Sequence, residues 1–393
     1  MRTYTDQQIN NKVDAISNQL IDLSHKIHAK PEVTNTEFFA SQLLACYLQT
    51  NGFEVTSDVC GHSTAFIATF DTLISGPHVA ITAEYDALPG LGHACGHNII
   101  GSSSVGAAVV LKDIVECGKI TVFGTPGEEG GPNGSSKGSF VREGYLDDVD
   151  FSCSIHPSAH TSPTKESIAC RVLEIEFFGT PAHAAGSPEY GVNALDALIN
   201  FYNQINALRQ QLTSDVRIHG IILDGGVAPN IIPEYTRARF YVRAQTKQTA
   251  AEVTEKFKVV GEAAAQGAFA RVKITEIQNA VDNLVPNKTL DNIFVSKLEA
   301  LGEVIINSPG SFGSTDVGNI SQVVPTVHPT CKIGPDSLVG HTAEFCISAR
   351  SESGDKGLIV ATKAIASSCY QVFTDPELLK EIKLEFANSI EKN

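Results

Sequence analysis

Apolar residues follow two different rhythms along this chain. Near the N-terminus Ile9, Val13, Ile16, Leu20, Leu23 and Ile27 recur at spacings of four and three, which lines them up on one face of a helix. Pro31 ends that pattern, and a second helix is predicted over 37–50, stopped by Asn51-Gly52. Short apolar runs at 53–56, 65–70, 78–83, 120–123 and 151–155 read as strands, and a segment rich in small residues reads as a helix over 98–118. Runs without polar alternation belong to strands covered on both faces. Helices between such strands predict a three-layer α/β/α domain.

The middle of the chain has a different order. Strand 171–178, helix 192–212, strands 216–223 and 235–244, helix 250–266 and strand 272–277 give βαββαβ, the ferredoxin-like pattern. Beyond it α/β character returns, with a helix over 290–301, strands before Pro309 and at Lys332-Ile333, and long helices from Lys356 onward. The expected organisation is one discontinuous domain, 1–168 with 281–393, carrying an inserted domain at 169–280.

Composition narrows the function classes. A formal charge of −15 argues against a nucleic-acid partner, which needs clustered Lys and Arg. No apolar run approaches the roughly 20 residues of a membrane span, and the first residues lack the apolar core of a signal peptide. The nine cysteines are scattered and odd in number, which speaks against a disulfide framework. The chain reads as cytoplasmic.

The chemistry concentrates in four places. Glu84 to Asn98, at a strand-to-helix junction, contains Asp86, His93, Cys95 and His97, the carboxylate, imidazole and thiolate ligands that a borderline-soft divalent ion takes. Gly96 gives the backbone the freedom to let Cys95 and His97 converge. Glu128-Glu129, after the strand at 120–123, are adjacent carboxylates that cannot both be buried and charged without a cation or a shared proton. One of the pair can bind a metal while the other takes a proton from water. His156 follows the strand at 151–155, and His341 lies in Gly340-His341-Thr342-Ala343-Glu344-Phe345. Each pattern alone also has a purely structural reading.

Taken together, Asp-Ala-Leu-Pro, His-Ala-Cys-Gly-His, Glu-Glu-Gly and Gly-His-Thr-Ala-Glu-Phe resemble the aminoacylase and carboxypeptidase G family of dinuclear zinc peptidases and amidohydrolases (metallopeptidase clan MH). The chain is most similar to its Cys-ligand subfamily, near the aminobenzoyl-glutamate hydrolases and the β-alanyl-lysine-type dipeptidases. The resemblance implies two divalent ions per subunit, zinc first, with manganese or cobalt possible. It implies Cys95 as the ligand shared between them, with His97, Glu129, His156 and His341 completing the set, and His160 as an alternative to His156. It implies Glu128 as general base and Asp86 as the carboxylate that orients a metal-bound imidazole. His93 receives no defined role.

The resemblance also makes the inserted domain a lid and dimerisation module. His183 would reach a neighbouring active site to stabilise an oxyanion, and Asn230 and Arg243 would grip the substrate carboxylate. The implied reaction is hydrolysis of an amide bond beside an amino-acid carboxylate, in a dipeptide, a longer peptide or an acyl or aminobenzoyl amino acid, by a homodimer or larger assembly. Where many relatives continue Cys-Gly-His with Asp-His, this chain has Asn98-Ile99, which weakens hippurate and auxin conjugates as substrates. Two rivals stay open: a metal-independent amidase with Cys95 as nucleophile and His97 as base, and a catalytically silent peptide-binding homologue.

Overall fold

The computed structural model describes residues 3–307 and 313–390. In chain order its elements are α1 (Asp6–Ala29), α2 (Phe38–Thr50), β1 (Glu54–Val59), β2 (His62–Asp71), β3 (His78–Ala83), α3 (His97–Lys112), β4 (Lys119–Gly124), α4 (Lys137–Arg142), β5 (Phe151–Cys153) and β6 (His156–Ser158). Then come β7 (Ala169–Phe178), α5 (Ala194–Leu208), β8 (Arg217–Asp224), β9 (Tyr235–Ala244), α6 (Lys247–Gly267) and β10 (Arg271–Glu276). The chain closes with α7 (Lys288–Ala300), α8 (Val317–Ser321), β11 (Thr326–Val327), β12 (Thr330–Lys332), α9 (Ala343–Ser348), α10 (Glu352–Thr374) and α11 (Pro376–Ile390). Two units emerge, Met1–Glu166 with Leu284–Asn393, and Ser167–Asn283.

The first unit is built on a six-stranded sheet in the order β1-β2-β4-β3-β5-β11. The ladders β4–β3, β3–β5 and β5–β11 are parallel; β1–β2 and β2–β4 are antiparallel. β3 shows why an unbroken apolar run marks a strand covered on both faces. Its Val79, Ile81 and Ala83 enter the core shared with α1, α3 and α10, while Ala80 enters a second core with Phe123, Phe140 and Ile320 on the opposite face. Helix α1 starts at a capping box, Thr5 with Gln8, and buries Ile9, Val13, Leu20, Leu23 and Ile27.

The second unit is a four-stranded antiparallel sheet, β10-β7-β9-β8. Its core joins Leu173, Ile175 and Phe177 to Phe201 of α5 and Phe257 of α6. This is the strand order of a ferredoxin-like fold.

Several expectations need correction. The strand expected over 151–155 stops early: β5 ends at Cys153, and the next strand, β6, pairs with β12 in a separate two-stranded sheet. A one-dimensional pattern cannot see that change of partner, because β11 and β12 lie far along the chain. The helix expected over 98–118 stops at Lys112, and Gly118, at φ +86°, turns the chain into β4. Before Pro309 the described residues hold no strand, only an isolated bridge of Ile305 to Thr161; 308–312 lie outside the described residues. The short elements α4, α8, β11 and α9 have no sequence pattern long enough to announce them.

Candidate metal centre

The loops that follow β3 and β4 leave the sheet at the carboxyl ends of neighbouring parallel strands, where open α/β sheets place their ligands. After β3 the chain passes through Glu84, Tyr85 and Asp86 to Cys95-Gly96-His97, where Gly96 (φ +79°) caps α3. A Cβ at Gly96 would lie 2.5 Å from Pro157 Cγ, so only glycine lets the Cys95 loop approach the β6 segment this closely. After β4 the chain turns through Gly127 (φ +70°) into Glu128 and Glu129.

Distant segments then converge. Cys95 Sγ lies 3.4 Å from His156 Nε2. His97 Nε2 lies 3.4 Å from Glu84, 3.9 Å from Glu128 and 4.0 Å from Glu129. His341 Nε2 lies 3.5 Å from Glu129 Oε1, and the His341 N–H donates to the carbonyl of Ala94 at 2.9 Å. His341 adopts φ +61°, a left-handed conformation that costs a non-glycine residue energy and commonly marks a functional position.

Three groups hold donor atoms within 4.8 Å of one another: Cys95/His97/His156, Cys95/Glu129/His341 and Glu84/His97/Glu128. The first two share Cys95. Asp86 Oδ1 accepts from His97 Nδ1 at 2.8 Å, and its Oδ2 accepts the Glu129 N–H at 2.9 Å. The proton on Nδ1 leaves the Nε2 lone pair free for a cation. His97 Nε2 and Glu129 Oε1 are buried and have no hydrogen-bond partner among the described residues. Orphaned buried acceptors of this kind are costly unless a cation completes them, and a thiol, imidazoles and carboxylates are the donor set that zinc-like ions take. The residues fit a divalent metal.

Burial dominates the electrostatics of these groups. Burial, then the neighbouring Glu84 and Glu129 carboxylates, push the Glu128 carboxyl well above its ordinary range. Burial, then the neighbouring His97, lowers His156 to about 4, keeping its imidazole neutral as ligation requires. Burial raises the Cys95 thiol far above its free value, outweighing the nearby His97.

Other expected residues fall elsewhere. His160 faces Asp336, at 3.6 Å, and belongs to none of the three donor groups. His93 is buried 5.9 Å from the ring of His28 and is likewise outside them. In the second unit, the His183 Nδ1 accepts the N–H groups of Ala185 and Gly186 at 3.2 and 2.9 Å, leaving its Nε2 as the donor of an exposed ring. The loop of Asn230 pairs with the His183 loop through Ala184 N–H to the Asn230 carbonyl, 3.0 Å. Arg243 stands at the far end of β9, over the Tyr241 ring at 5.3 Å.

Sequence reading missed three contributors. Glu84 joins a donor group; its position two residues before Asp86, on the same face of an extended segment, was the available signal. Lys137 is fully buried, 2.9 Å from Glu84 and in contact with Asp316. Burial alone would strip its proton, but Asp316 and Glu84 outweigh that and hold the ammonium charged. Glu37, at the start of α2, is buried against Thr64 and Gly127. Nothing in the local sequence announces Lys137 or Glu37.

Residues 171–267 match the peptidase dimerisation domain of the M20 peptidases. The chain is 34% identical to the Xaa-Arg dipeptidase of Mus musculus, covering 95% of this chain and 90% of that protein. It is 28% identical to a component chain of the p-aminobenzoyl-glutamate hydrolase of Escherichia coli (strain K12), covering 96% and 94%. Among solved structures, a dinuclear metal-binding peptidase of the M20 family from Bacillus subtilis has the same fold, with a TM-score of 0.59 and 18% identity over 90% of this chain and 99% of that one. Similarity at this level along nearly the full chain, on a site with this donor set, means that the chain belongs to the M20 family of metal-dependent peptidases and amidohydrolases and hydrolyses amide bonds.

Proposed function

We propose that this hydrolase cleaves the amide bond beside a free amino-acid carboxylate, in a dipeptide or an acyl amino acid, with Glu128 as general base. The convergence of Cys95, His97, Glu129, His156 and His341 from four separate segments around Glu128 carries this reading. Cys95, His97, Glu129, His156 and His341 would hold two divalent ions, zinc in this reading, which when bound supply Lewis acidity that polarises a carbonyl and acidifies water. Asp86 holds His97 in the tautomer that ligation needs. Glu128 takes the proton from the attacking water and returns it to the leaving amine.

The named relatives act on Xaa-Arg dipeptides and on p-aminobenzoyl-glutamate; both kinds of substrate end in an amino acid joined through its nitrogen. That shared feature supports a carboxylate-recognising site in this chain. Asn230 and Arg243 are the residues assigned to it. Asn230 lies before the start of β9 and Arg243 near its end, separated by roughly 30 Å of strand, so one carboxylate gripped by both takes them from two subunits. His183 would donate from Nε2 to the oxyanion. The exposed apolar residues Ile221, Ile222 and Leu223 on the edge strand β8 support a homo-oligomer formed through the second unit. No helix among the described residues is long and apolar enough to cross a membrane, and we assign the enzyme to the cytoplasm.

Metal content by elemental mass spectrometry, with hydrolysis of alanyl-arginine, p-aminobenzoyl-glutamate and acetylated amino acids before and after chelation, tests the reading. Two ions per chain, and activity lost on chelation and restored by Zn²⁺, are expected. Glu128→Gln should keep its metal and lose turnover. Activity that survives chelation and Glu128→Gln but falls to a thiol reagent would return Cys95 to the role of nucleophile.

A further inference from the structure

Three of the four residues that lead into α2, Thr34, Asn35 and Glu37, fasten the turn carrying Glu128 and Glu129. Thr34 Oγ1 donates to the carbonyl of Gly130 at 2.5 Å. Asn35 Nδ2 donates to the carbonyls of Pro132 and Asn133, both at 2.9 Å. Glu37 reaches deepest: its Oε1 accepts the N–H of Gly127 at 3.0 Å, and its Oε2 accepts the hydroxyl of Thr64 at 2.8 Å. The Thr64 carbonyl in turn accepts the hydroxyl of Tyr85, which sits between Glu84 and Asp86. One buried carboxylate thus ties the turn after β4 to the loop after β3.

Gly127 leaves little room for any other arrangement. It has φ +70°, and a Cβ there would lie 2.8 Å from Thr34 Cγ2. On the other flank, Asp86 accepts the Glu129 N–H, and the Gly127 carbonyl accepts the Ser135 N–H at 2.7 Å. The residues before and after Glu128 are therefore both gripped by buried carboxylates, Glu37 and Asp86. Asp86 also holds a candidate ligand, His97. Glu37 is fully buried and meets none of the three metal-donor groups, and among the described residues Thr64 is the one side chain hydrogen-bonded to it. A buried carboxylate with no metal to bind and no cation beside it is expensive; the turn is what it holds.

We propose that Glu37 is a positioning residue for the hydrolysis: through the Gly127 N–H, and with Thr34 at Gly130, it sets where the Glu128 carboxylate stands. This rests on Glu128 being the general base. A displacement of about 1 Å at a reacting group costs on the order of a hundredfold in rate, so a clamp on the turn that carries the base acts on turnover far more than on binding. The hydrogen-bond pattern, not the charge, is what matters. A glutamine can keep its Oε1 on the Gly127 N–H and donate from Nε2 to the Thr64 hydroxyl, which reverses its own bond.

The test compares wild type with Glu37→Ala, Glu37→Gln, Thr34→Val and Glu128→Gln. All are zinc-loaded and assayed for kcat, KM and metal content on the fastest-cleaved of alanyl-arginine and p-aminobenzoyl-glutamate. Expected are a kcat at least tenfold lower in Glu37→Ala with KM within threefold, and a kcat within about twofold of wild type in Glu37→Gln. Thr34→Val should lower kcat about threefold with metal content unchanged. A folded Glu37→Ala with wild-type kcat overturns the proposal, as does Glu37→Gln impaired as badly as Glu37→Ala. If Glu37→Ala does not fold, Thr34→Val and Glu37→Gln decide: an unchanged kcat in Thr34→Val or a collapsed one in Glu37→Gln overturns it. Glu128→Gln separates the two layers. Its inactivity beside an unaffected Glu37→Ala removes only the clamp, whereas full activity in Glu128→Gln removes both readings.

Discussion

The two oxygens of Asp86 serve two segments at once, one accepting from His97 Nδ1 at the start of α3 at 2.8 Å and the other from the Glu129 N–H in the turn after β4 at 2.9 Å. Both partners are candidate ligands, so a single carboxylate aligns both. Asp86→Ala should therefore weaken metal binding by about 10–100-fold, in the range that loss of such outer partners costs. Competition with a chromophoric chelator measures it; an unchanged affinity would show that His97 and Glu129 hold their positions unaided.

Lys137 is buried between Glu84 and Asp316. Lys137→Met leaves two buried carboxylates without their cation, and loss of one partner of a buried pair costs about 3–5 kcal/mol. Chemical denaturation should show a loss of that size, and Asp316→Asn added to Lys137→Met should recover part of it. Full stability in the single variant would contradict the buried pairing.

The carboxyl of Glu37 is pushed up to about 7, first by burial and then by the charge of Asp86, from an unfolded value near 4.5. The sign follows from which state holds the proton longer. Below the unfolded value both states are protonated and the group contributes nothing. As pH rises toward 7 the unfolded chain ionises first, so folding loses up to about 3 kcal/mol across that window and no more above it. Denaturant melts of the metal-free protein at pH 5, 6, 7 and 8 should show Glu37→Gln gaining on wild type up to pH 7 and level thereafter. A difference independent of pH would mean that Glu37 ionises normally.

Gly96→Ala places a Cβ 2.5 Å from Pro157 Cγ at φ +79°. The Cys95 loop or the β6 segment has to retreat, which separates Cys95 from His156. Zinc content should fall well below that of wild type while the fold, followed by far-ultraviolet circular dichroism, persists. Wild-type zinc content in this variant would show that the loop has slack.

Local periodicity was enough for much of this protein. The α1 stripe, the apolar run of β3 and the βαββαβ order all depend on residues a few positions apart; β3 reappears over the expected 78–83, and the βαββαβ elements end within a few residues of those expected. The candidate donors were also legible, because Cys, His and paired carboxylates at strand ends carry their own cost unless something uses them. Tertiary structure decided what depends on partners far along the chain. It split β5 from β6 and set His156, not His160, against Cys95. It brought His341 to the site through the carbonyl of Ala94. It also gave Lys137 and Glu37 their places, since the only sign of a buried charge's role is the group it meets, and that group lies on another element.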